Sequence, residues 1–426
     1  MTRRFKMLVF LVVMLLIAAA GLVVVWAQQD DEEPVTILGT WTADQETHFK
    51  EVLGSFGIPF RYQGTAAQRE VLLSKVQAGE PPDIVIMPGI GELSEYADQN
   101  HLKPLDRLYD PRQYGSPWNS TGTADGHVYW VPVKADLKSI VWYREGHKPA
   151  DSPAPLESWC MGMGDDGASG WPGSDWIEDL VLQRNGPEFY QKWALSKDRV
   201  NWWTSNQVRS AWEAWAGLLK QNRDAAKHAL LTDHRGVAGS HGLLFEGGWK
   251  GCSLEHQGSF ASSFYGPADA KQARLMDSAP LLPGGPDRVR AHEVTGDFAA
   301  LFSDRPQAKE LIERLASKEG QQKWARTADV FSANRQVQLP GGSAEREIAE
   351  RLKGNGPRCL DASDVMAPAV RDAFYEAVLL TIARIADRQD PAIEGLLTNV
   401  QKVQKVQDAQ RSLSDNRAAP STVCST

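Results

Sequence analysis

Two apolar runs near the start of the chain are each followed by a segment of helical spacing, and this alternation constrains the fold most. The runs cover 35–39 and 83–89, and helical patterns cover 44–56, 65–77 and 93–99. Strands that alternate with helices predict a mostly parallel sheet with helices on both faces. Ligands of such sheets bind at the carboxyl ends of the strands. We therefore expect a ligand crevice directly after these two runs.

The rest of the chain has fewer strand signals. Extended segments are predicted at 125–133, 139–143 and 293–302, whereas the residues between the last two segments are mainly helical and rich in Trp and Gly. Further helices are predicted over 306–325, 367–385 and 391–408. A chain of 426 residues exceeds a single domain of ordinary size, so two α/β lobes are expected.

The N-terminal segment predicts export from the cytoplasm. Basic residues precede an apolar run from Met7 to Ala27, and an acidic spacer follows it. Residues 1–27 are therefore a signal peptide with Val25-Trp26-Ala27 as its cleavage site, or an uncleaved membrane anchor. Both alternatives stay open, and either one places residues 34 onward outside the cytoplasm.

Charge and aromatic content narrow the classes of partner. The formal net charge is −8, so the chain lacks the basic field that phosphate binding requires, and no nucleic-acid partner is expected. Tryptophans outnumber tyrosines by 15 to 9, which suits either large cores or a surface that grips the flat apolar faces of a ligand. Trp212 and Trp215 are expected in a buried helical stripe, and one of Trp202 and Trp203 is expected to be exposed.

The four cysteines of an exported chain are candidates for disulfide bonds. A bond between Cys160 and Cys252 is predicted, because C-x-x-C spacing is absent and His256 is the only histidine near either residue at metal-ligand spacing. Cys359 and Cys424 are a second possible pair, although Cys424 lies in a polar tail that we expect to be mobile.

Short motifs follow one another along the chain in a recognisable order. They are Gly39-Thr40-Trp41, Glu80 to Val85, Gly126 to Pro132, Ser139 to Tyr143, Thr295 to Ser303 and Ala316 to Trp324. This order resembles the extracytoplasmic solute-binding proteins of carbohydrate ABC transporters. Further matches resemble the alpha-glucoside-binding branch: Trp159-Cys160, Gly170 to Gly173, Asp175 to Asp179, Gly251-Cys252 and Asp361 to Asp364.

The resemblance implies a periplasmic-binding-protein-like fold, in which two α/β lobes joined by a multi-segment hinge close around a sugar in a central cleft. It implies a carbohydrate ligand, membrane permease subunits as partners, a monomer, and neither a catalytic site, a metal nor a cofactor. Asp136 stands where a neutral amide is expected in this family, and no lipid-anchoring cysteine follows the apolar run.

The resemblance also divides the chain. The hinge crossings are expected near 132–138, 290–296 and 332–342. The first lobe would comprise 34–135 plus 295–335, the second lobe 139–290 plus 343–405, and the mobile tail 409–426.

Sugar sites need aromatic rings for the apolar faces of the sugar and carboxylates or amides for its hydroxyl groups. Trp41 follows a strand end and is a candidate ligand contact, with the core of the lobe as its alternative. Asp44 is expected to cap the following helix, which leaves Glu46 as the candidate for the sugar rim. Asp136, on the first crossing, is a ligand contact or a solvated hinge charge.

The second lobe offers a facing set of candidates. Trp171 lies between Gly170 and Pro172, at a loop that enters a helix, and is expected to contact the ligand. Asp175 is a ligand contact or the cap of a helix from Trp176. Trp249 either contacts the ligand or packs beside Cys252. Asp297, after the second crossing, binds hydroxyl groups or ties down the hinge.

Two other functions share these features. An exported glycoside hydrolase would also combine tryptophans with carboxylates, and Glu46, Asp136, Asp175 and Asp297 would supply its acids. A binder of a cationic solute would use rings and carboxylates as a cage. No other catalytic motif of the G-x-S-x-G or H-E-x-x-H type is present, so binding is the favoured function.

Overall fold

The computed structural model describes residues 33–120, 123, 126–196, 200–236, 241–338, 342–413 and 420–425. The predicted export segment at 1–27 lies outside these ranges. None of the helices within them is both long enough and apolar enough to cross a membrane.

The larger of two sheets begins with the predicted alternation of strand and helix. Strand β1 (Val35–Gly39) lies between β2 (Phe60–Gly64) and β3 (Ile84–Met87) and runs parallel to both. Helices α1 (Ala43–Gly54) and α2 (Gln68–Gln77) connect these strands. Helix α3 (Ile90–Asp98) follows β3. The strands predicted at 35–39 and 83–89 are confirmed.

The same sheet is completed by strands from later in the chain. Strand β8 (His292–Leu301) pairs antiparallel with β3 on one side and with β4 (Trp130–Leu137) on the other. Strand β9 (Arg358–Leu360) lies parallel to the first residues of β8. The sheet is therefore mixed rather than mostly parallel, because β8 enters it from the other lobe and in the opposite direction.

The smaller sheet contains three antiparallel strands. Strand β5 (Ile140–Arg144) lies between β6 (Leu254–His256) and β7 (Ala273–Asp277). The remaining helices are α4 (Trp171–Asn185), α5 (Pro187–Leu195), α6 (Asn206–Leu219), α7 (Arg223–Leu231), α8 (Pro267–Ala270), α9 (Pro306–Ala316), α10 (Lys318–Ala328), α11 (Ser343–Lys353), α12 (Ala362–Val365), α13 (Pro368–Ala386) and α14 (Ile393–Leu413). The helix predicted over 306–325 is two helices, because the chain turns at Ser317.

Most tryptophans form the cores of the lobes. The rings of Trp193, Trp203 and Trp212 all pack around Phe374 of α13, at centroid distances of 6.0, 4.9 and 5.6 Å. The buried stripe of Trp212 and Trp215 is confirmed, and Trp202 is only partly buried whereas Trp203 is fully buried. The excess of tryptophan is thus explained mainly by packing.

The two sheets meet where the chain passes from β4 to β5. Only Lys138 and Ser139 separate these strands, and Ser139 has a left-handed backbone, φ 56°. The backbone NH of Lys138 donates to the carbonyl of Glu293, and the NH of Glu293 donates to Ser139 Oγ, so β8 is fixed beside this turn. The lobe bounds and the three hinge crossings near 132–138, 290–296 and 332–342 stay predictions, and residues 339–341 lie outside the described ranges.

Both pairs of cysteines form disulfide bonds. Cys160–Cys252 is confirmed, and Cys359–Cys424 is the second bond. The prediction of a mobile tail over 409–426 is wrong for its described parts. Residues 409–413 continue α14, and the segment 420–425 is fastened beside β9, where the NH of Leu360 donates to the carbonyl of Val423.

We predict that Cys424→Ser destabilises the fold. A bond across 65 residues restricts the unfolded chain, which in the chain-entropy description contributes about 4 kcal/mol to the free energy of unfolding. Urea unfolding of the variant against the oxidised wild type measures this loss. Alkylation of the exported protein before and after reduction is the companion measurement, and free thiols at Cys359 and Cys424 before reduction would contradict the pairing.

Candidate ligand-binding cleft

A cavity of about 1300 Å³ lies between the two lobes. Its walls come from the carboxyl ends of β1 and β3, the junction of β4 and β8, the start of α4 and the segment around α12. Ligand pockets of proteins are commonly about 300 to 1,000 Å³, so this cavity has room for a ligand of several rings. The cavity lies where the strand ends predicted it, because Thr40, Trp41, Pro88 and Gly89 all line it.

Trp41 is the aromatic residue of the first lobe at this cavity, and it is also part of the core. The residue is only 4% exposed. The centroid of its ring lies 4.6 Å from that of Phe49 and 4.9 Å from that of Trp324. The indole Nε1 donates to Asp297 Oδ2 at 3.1 Å. One edge of a well-anchored ring therefore borders the cavity.

Neither of the two acids after Trp41 lies where its predicted role would place it. Asp44 lines the cavity and does not cap α1, whose N-cap is Thr42 with no side-chain hydrogen bond. Glu46 is not among the lining residues, and its carboxylate pairs with Lys50 one turn later on α1. Its contact with a ligand stays a prediction that this arrangement does not favour.

Trp171 is one of the aromatic residues of the second lobe that line the cavity. It begins α4, directly after Gly170, whose backbone is left-handed with φ 106°. A Cβ atom at Gly170 would approach the carbonyl of Tyr375 to 2.7 Å, so this entry to the helix requires glycine. The Trp171 ring is partly exposed, and its Nε1 donates to Asp165 Oδ2 at 2.8 Å.

Other rings support Trp171 on the same wall. His234 contacts it at a centroid distance of 4.8 Å and Phe260 at 5.7 Å, both edge to face. Phe260 and Phe264 also line the cavity, and no sequence signal marked them as site residues because they lie in a short 3-10 segment without a strand or helix pattern. The second lobe thus offers an aromatic wall.

Asp136 and Asp297 belong to one buried ion cluster on the floor of the cavity. Lys134 Nζ lies 2.9 Å from Asp136 Oδ2 and 3.9 Å from Asp297 Oδ2. Ser259 Oγ donates to Asp136 Oδ1 at 2.8 Å. Burial raises the pKa of Asp297, although the neighbouring ammonium of Lys134 opposes this rise. Asp136 is 3% exposed, so it is not the solvated hinge charge of the alternative prediction.

Asp175 lies inside α4 and does not cap it. Its Oδ1 accepts a hydrogen bond from Lys138 Nζ at 2.9 Å, and burial raises its pKa to about 7. Asp364 also lines the cavity, and burial together with the charge of Asp361 raises its pKa to about 7. Both acids of the Asp361-Ala362-Ser363-Asp364 motif border the cavity, although the motif entered the prediction only as a family match.

Trp249 lies away from the cavity. Its ring contacts His228 at a centroid distance of 5.5 Å, and it follows Gly248, which packs directly against the Cys160–Cys252 bond. Of the two predicted alternatives, packing beside Cys252 describes its position. A pair of glycines before a tryptophan marks a bend equally well at a disulfide and at a ligand site, which is why the sequence left both open.

The basic groups of the lining are all paired. Each Lys and Arg among the described lining residues lies within 4.0 Å of a carboxylate: Arg69 and Arg371 beside Glu92, Lys134 beside Asp136, Lys138 beside Asp175, and Arg235 beside Asp233. Several lining acids, such as Asp44 and Asp166, have no such partner. The cavity therefore presents oxygen acceptors rather than unpaired positive charge.

Comparisons with known proteins agree on one family. The model of the bacterial extracellular solute-binding proteins matches residues 57–322. The osmoprotective compounds-binding protein GgtB of Synechocystis sp. is 28% identical over 371 residues, covering 79% of this chain and 85% of its own. The alpha-glucosides-binding periplasmic protein AglE of Rhizobium meliloti is 27% identical over 377 residues, covering 78% and 80%.

Solved structures share the fold. A chitin oligosaccharide binding protein superposes with a TM-score of 0.68 at 15% identity, covering 88% of this chain and 99% of its own. The maltose-maltodextrin binding protein of Alicyclobacillus acidocaldarius gives a TM-score of 0.60 at 14% identity, covering 89% and 100%. The two-lobed fold expected from the sequence is confirmed.

We predict that the two cavity tryptophans differ in their contribution to stability. Trp41→Ala removes a buried ring with a hydrogen-bonded NH and should lower the free energy of unfolding by about 3 to 5 kcal/mol. Trp171→Ala removes a partly exposed ring and should cost less than about 2 kcal/mol. Urea unfolding of both variants measures the difference, and equal losses would show that Trp171 is also a core residue.

Proposed function

This chain belongs to the bacterial extracellular solute-binding proteins, and we propose that its cleft binds an uncharged carbohydrate and delivers it to the permease of an ABC transporter. Alpha-glucosides are the first class of sugar to test. The observation that carries the proposal is the cavity between the lobes, with an aromatic wall on the second lobe facing carboxylates of the junction.

The chemistry of the lining suits a sugar. A pyranose presents apolar C–H faces, which stack on rings such as Trp171, and hydroxyl groups, which donate to carboxylates such as Asp175 and Asp364. Because every lysine and arginine of the described lining already pairs with an acid, an anionic sugar would find no unpaired cation. This favours a neutral ligand over a sugar acid or a sugar phosphate.

The relatives support the same class of ligand. AglE is named for alpha-glucosides, and GgtB is named for osmoprotective compounds. The structural neighbours named above are named for chitin oligosaccharides and for maltose and maltodextrin. These names differ in the length and linkage of the sugar, so the choice among neutral sugars rests on the rings and acids of this cleft.

The absence of enzymatic activity and the place of action are parts of the proposal. The family consists of binding proteins that act outside the membrane. We infer that this chain works there as a monomer, either released by cleavage after Ala27 or anchored by residues 1–27. A cationic solute is the second candidate, because unpaired acids such as Asp44 and Asp166 line the cavity.

We predict that Trp171→Ala weakens the binding of maltose or of a better-binding alpha-glucoside by roughly 1 to 3 kcal/mol, the scale of a lost ring contact. Isothermal titration calorimetry measures the change. Trp249→Ala is the matched control, because Trp249 is also partly exposed and also contacts a histidine, but lies away from the cavity. Equal affinities of Trp171→Ala and the wild type would remove Trp171 from the ligand site.

The panel for this titration includes ligands that test the alternatives. Neutral glucosides should bind, whereas glucuronides and glucose phosphates should bind at least about tenfold more weakly because no cation is free to receive them. Tight binding of a polyamine without any binding of sugars would favour the cationic solute instead. Release of nitrophenol from nitrophenyl glycosides by the purified protein would identify a hydrolase.

We predict that binding closes the cleft. A ligand that touches both lobes stabilises the closed arrangement by its differential affinity for it, and the lobes then rotate about the junction. Small-angle X-ray scattering should show a smaller radius of gyration when a saturating glucoside is added. An unchanged scattering curve with a bound glucoside would contradict closure as the signal to the permease.

A further inference from the structure

Lys138 lies at the point where the two sheets meet. It follows β4 directly, and the residue is 6% exposed yet borders the cavity. Ser139 alone separates it from β5 of the second lobe. A lysine in this position lies between the two lobes and is almost removed from solvent. Burial of its charge is costly unless acids pair with it.

Three groups of the cleft converge on the ammonium of Lys138. Its Nζ donates to Asp175 of α4 at 2.9 Å and to Asp361, which precedes α12. The same Nζ lies 5.6 Å from the centre of the Trp171 ring. Asp175, Asp361 and Trp171 all line the cavity. One positive charge therefore contacts two acids and the principal ring of the proposed sugar site.

The ammonium takes the position that a bound cation would need. Oxygens of Asp175, Glu178 and Asp361 lie within 4.8 Å of one another, which is a spacing that a metal ion could use. Lys138 already contacts two of these three acids, and a second cation between them would be repelled by it. The positive charge between these acids is thus supplied by Lys138 of the chain itself.

Further acids surround this lysine. Glu178 of α4 and Glu293 of β8 are fully buried, and Glu178 Oε1 and both oxygens of Glu293 have no hydrogen-bond donor among the described residues. Burial raises the pKa of both groups well above the usual value of a glutamate. Lys138 Nζ itself donates to Asp175 and Asp361, which line the cavity.

Other titratable groups reach the same acids from every neighbouring element. Asp364 of α12 is close to Asp361, and Arg371 of α13 acts on Asp364. His256 of β6 acts on Asp175, Tyr190 of α5 contacts Glu178, and Tyr375 of α13 contacts Ser363. Among these groups Lys138 is the one that donates directly to both Asp175 and Asp361.

We propose that Lys138 is the positioning residue of the cleft, which orients Asp175 and Asp361 as acceptors for the hydroxyl groups of the ligand, with the Trp171 ring held beside them. This rests on the proposed function for the nature of the ligand. Burial opposes ionisation of Asp361, but the ammonium lowers its pKa to about 2. Ser363 Oγ and the NH of Asp364 also donate to Asp361 Oδ1, so loss of the ammonium would release Asp361 Oδ2 and the side chain of Asp175 rather than the whole cluster.

The test compares Lys138→Met with Lys138→Arg. The methionine keeps the length of the side chain and removes the charge, whereas the arginine keeps the charge. Calorimetry with maltose at pH 7 should show at least a tenfold loss of affinity in Lys138→Met and recovery to within about threefold of the wild type in Lys138→Arg. Lys192→Met, which removes a lysine from an exposed pair with Glu188, is the control and should bind as the wild type.

A ligand-free measurement separates this proposal from the proposed function. In Lys138→Met the folded-state pKa of Asp361 should rise from about 2, and that of Asp175 should rise further above its wild-type value of about 7, so stability is full at low pH and is lost as the pH rises through the raised values. The melting temperature of Lys138→Met should therefore fall between pH 5 and pH 8 relative to that of Lys138→Arg. If the wild type binds no sugar, the proposed function fails and this series still tests the role of Lys138.

Several outcomes would overturn the proposal. They are unchanged maltose affinity in Lys138→Met, no recovery in Lys138→Arg, and parallel pH profiles of melting temperature in the two variants. A rise in the melting temperature of the wild type with millimolar calcium or magnesium, abolished by Glu178→Gln, would show a metal site instead. If Lys138→Met does not fold at any pH, Asp175→Asn replaces it, and maltose affinity equal to that of the wild type would overturn the proposal.

Discussion

The antiparallel pairing of β4 with β8 is the constraint on which the cleft depends. It extends from Trp130↔Ala300 to Leu137↔Val294, so the two strands form one ribbon that belongs to the larger sheet and ends at the smaller one. Gly296 permits the close approach, since a Cβ atom there would lie 2.4 Å from the carbonyl of Lys134. The ribbon thereby leads from the larger sheet to the smaller one and also forms the floor of the cavity.

The same pairing explains why the floor is charged. Its register sets Lys134 opposite Asp297 and Asp136 opposite Thr295, and Lys138 follows at the end of the strand. Charged groups in such a position are costly to bury unless they are paired, and pairs of this kind add little net stability. Their effect is on geometry, because each ammonium fixes the carboxylates that face the cavity. The floor is consequently polar, its carboxylates are held in fixed orientations, and its lysines are paired.

The parts of the fold that local sequence encodes could be predicted. Apolar runs gave β1, β3 and β8, and helical periodicity gave α13 and α14 to within a few residues at most of their boundaries. Strand β2 was missed because only Tyr62 among its five residues is buried, so it forms no apolar run. The direction of β8 in the sheet and the attachment of Cys424 depend on residues far away in the sequence, which no local pattern records.

Tryptophan shows most directly where sequence reasoning on the site stops. Trp41, Trp171 and Trp249 each follow a glycine within two residues, yet their surroundings differ. Trp41 contacts an acid and core rings, Trp171 begins a helix, and Trp249 follows a glycine that packs against a disulfide. The acceptor of the indole NH differs between the two cavity rings. It lies 256 residues away in the sequence for Trp41 but only six for Trp171. The Trp171 ring also contacts His234 and Phe260 of distant segments, but these contacts leave it partly exposed, whereas Trp41 is almost completely buried. Trp171 can therefore face a ligand, whereas Trp41 must first complete the core that positions the floor.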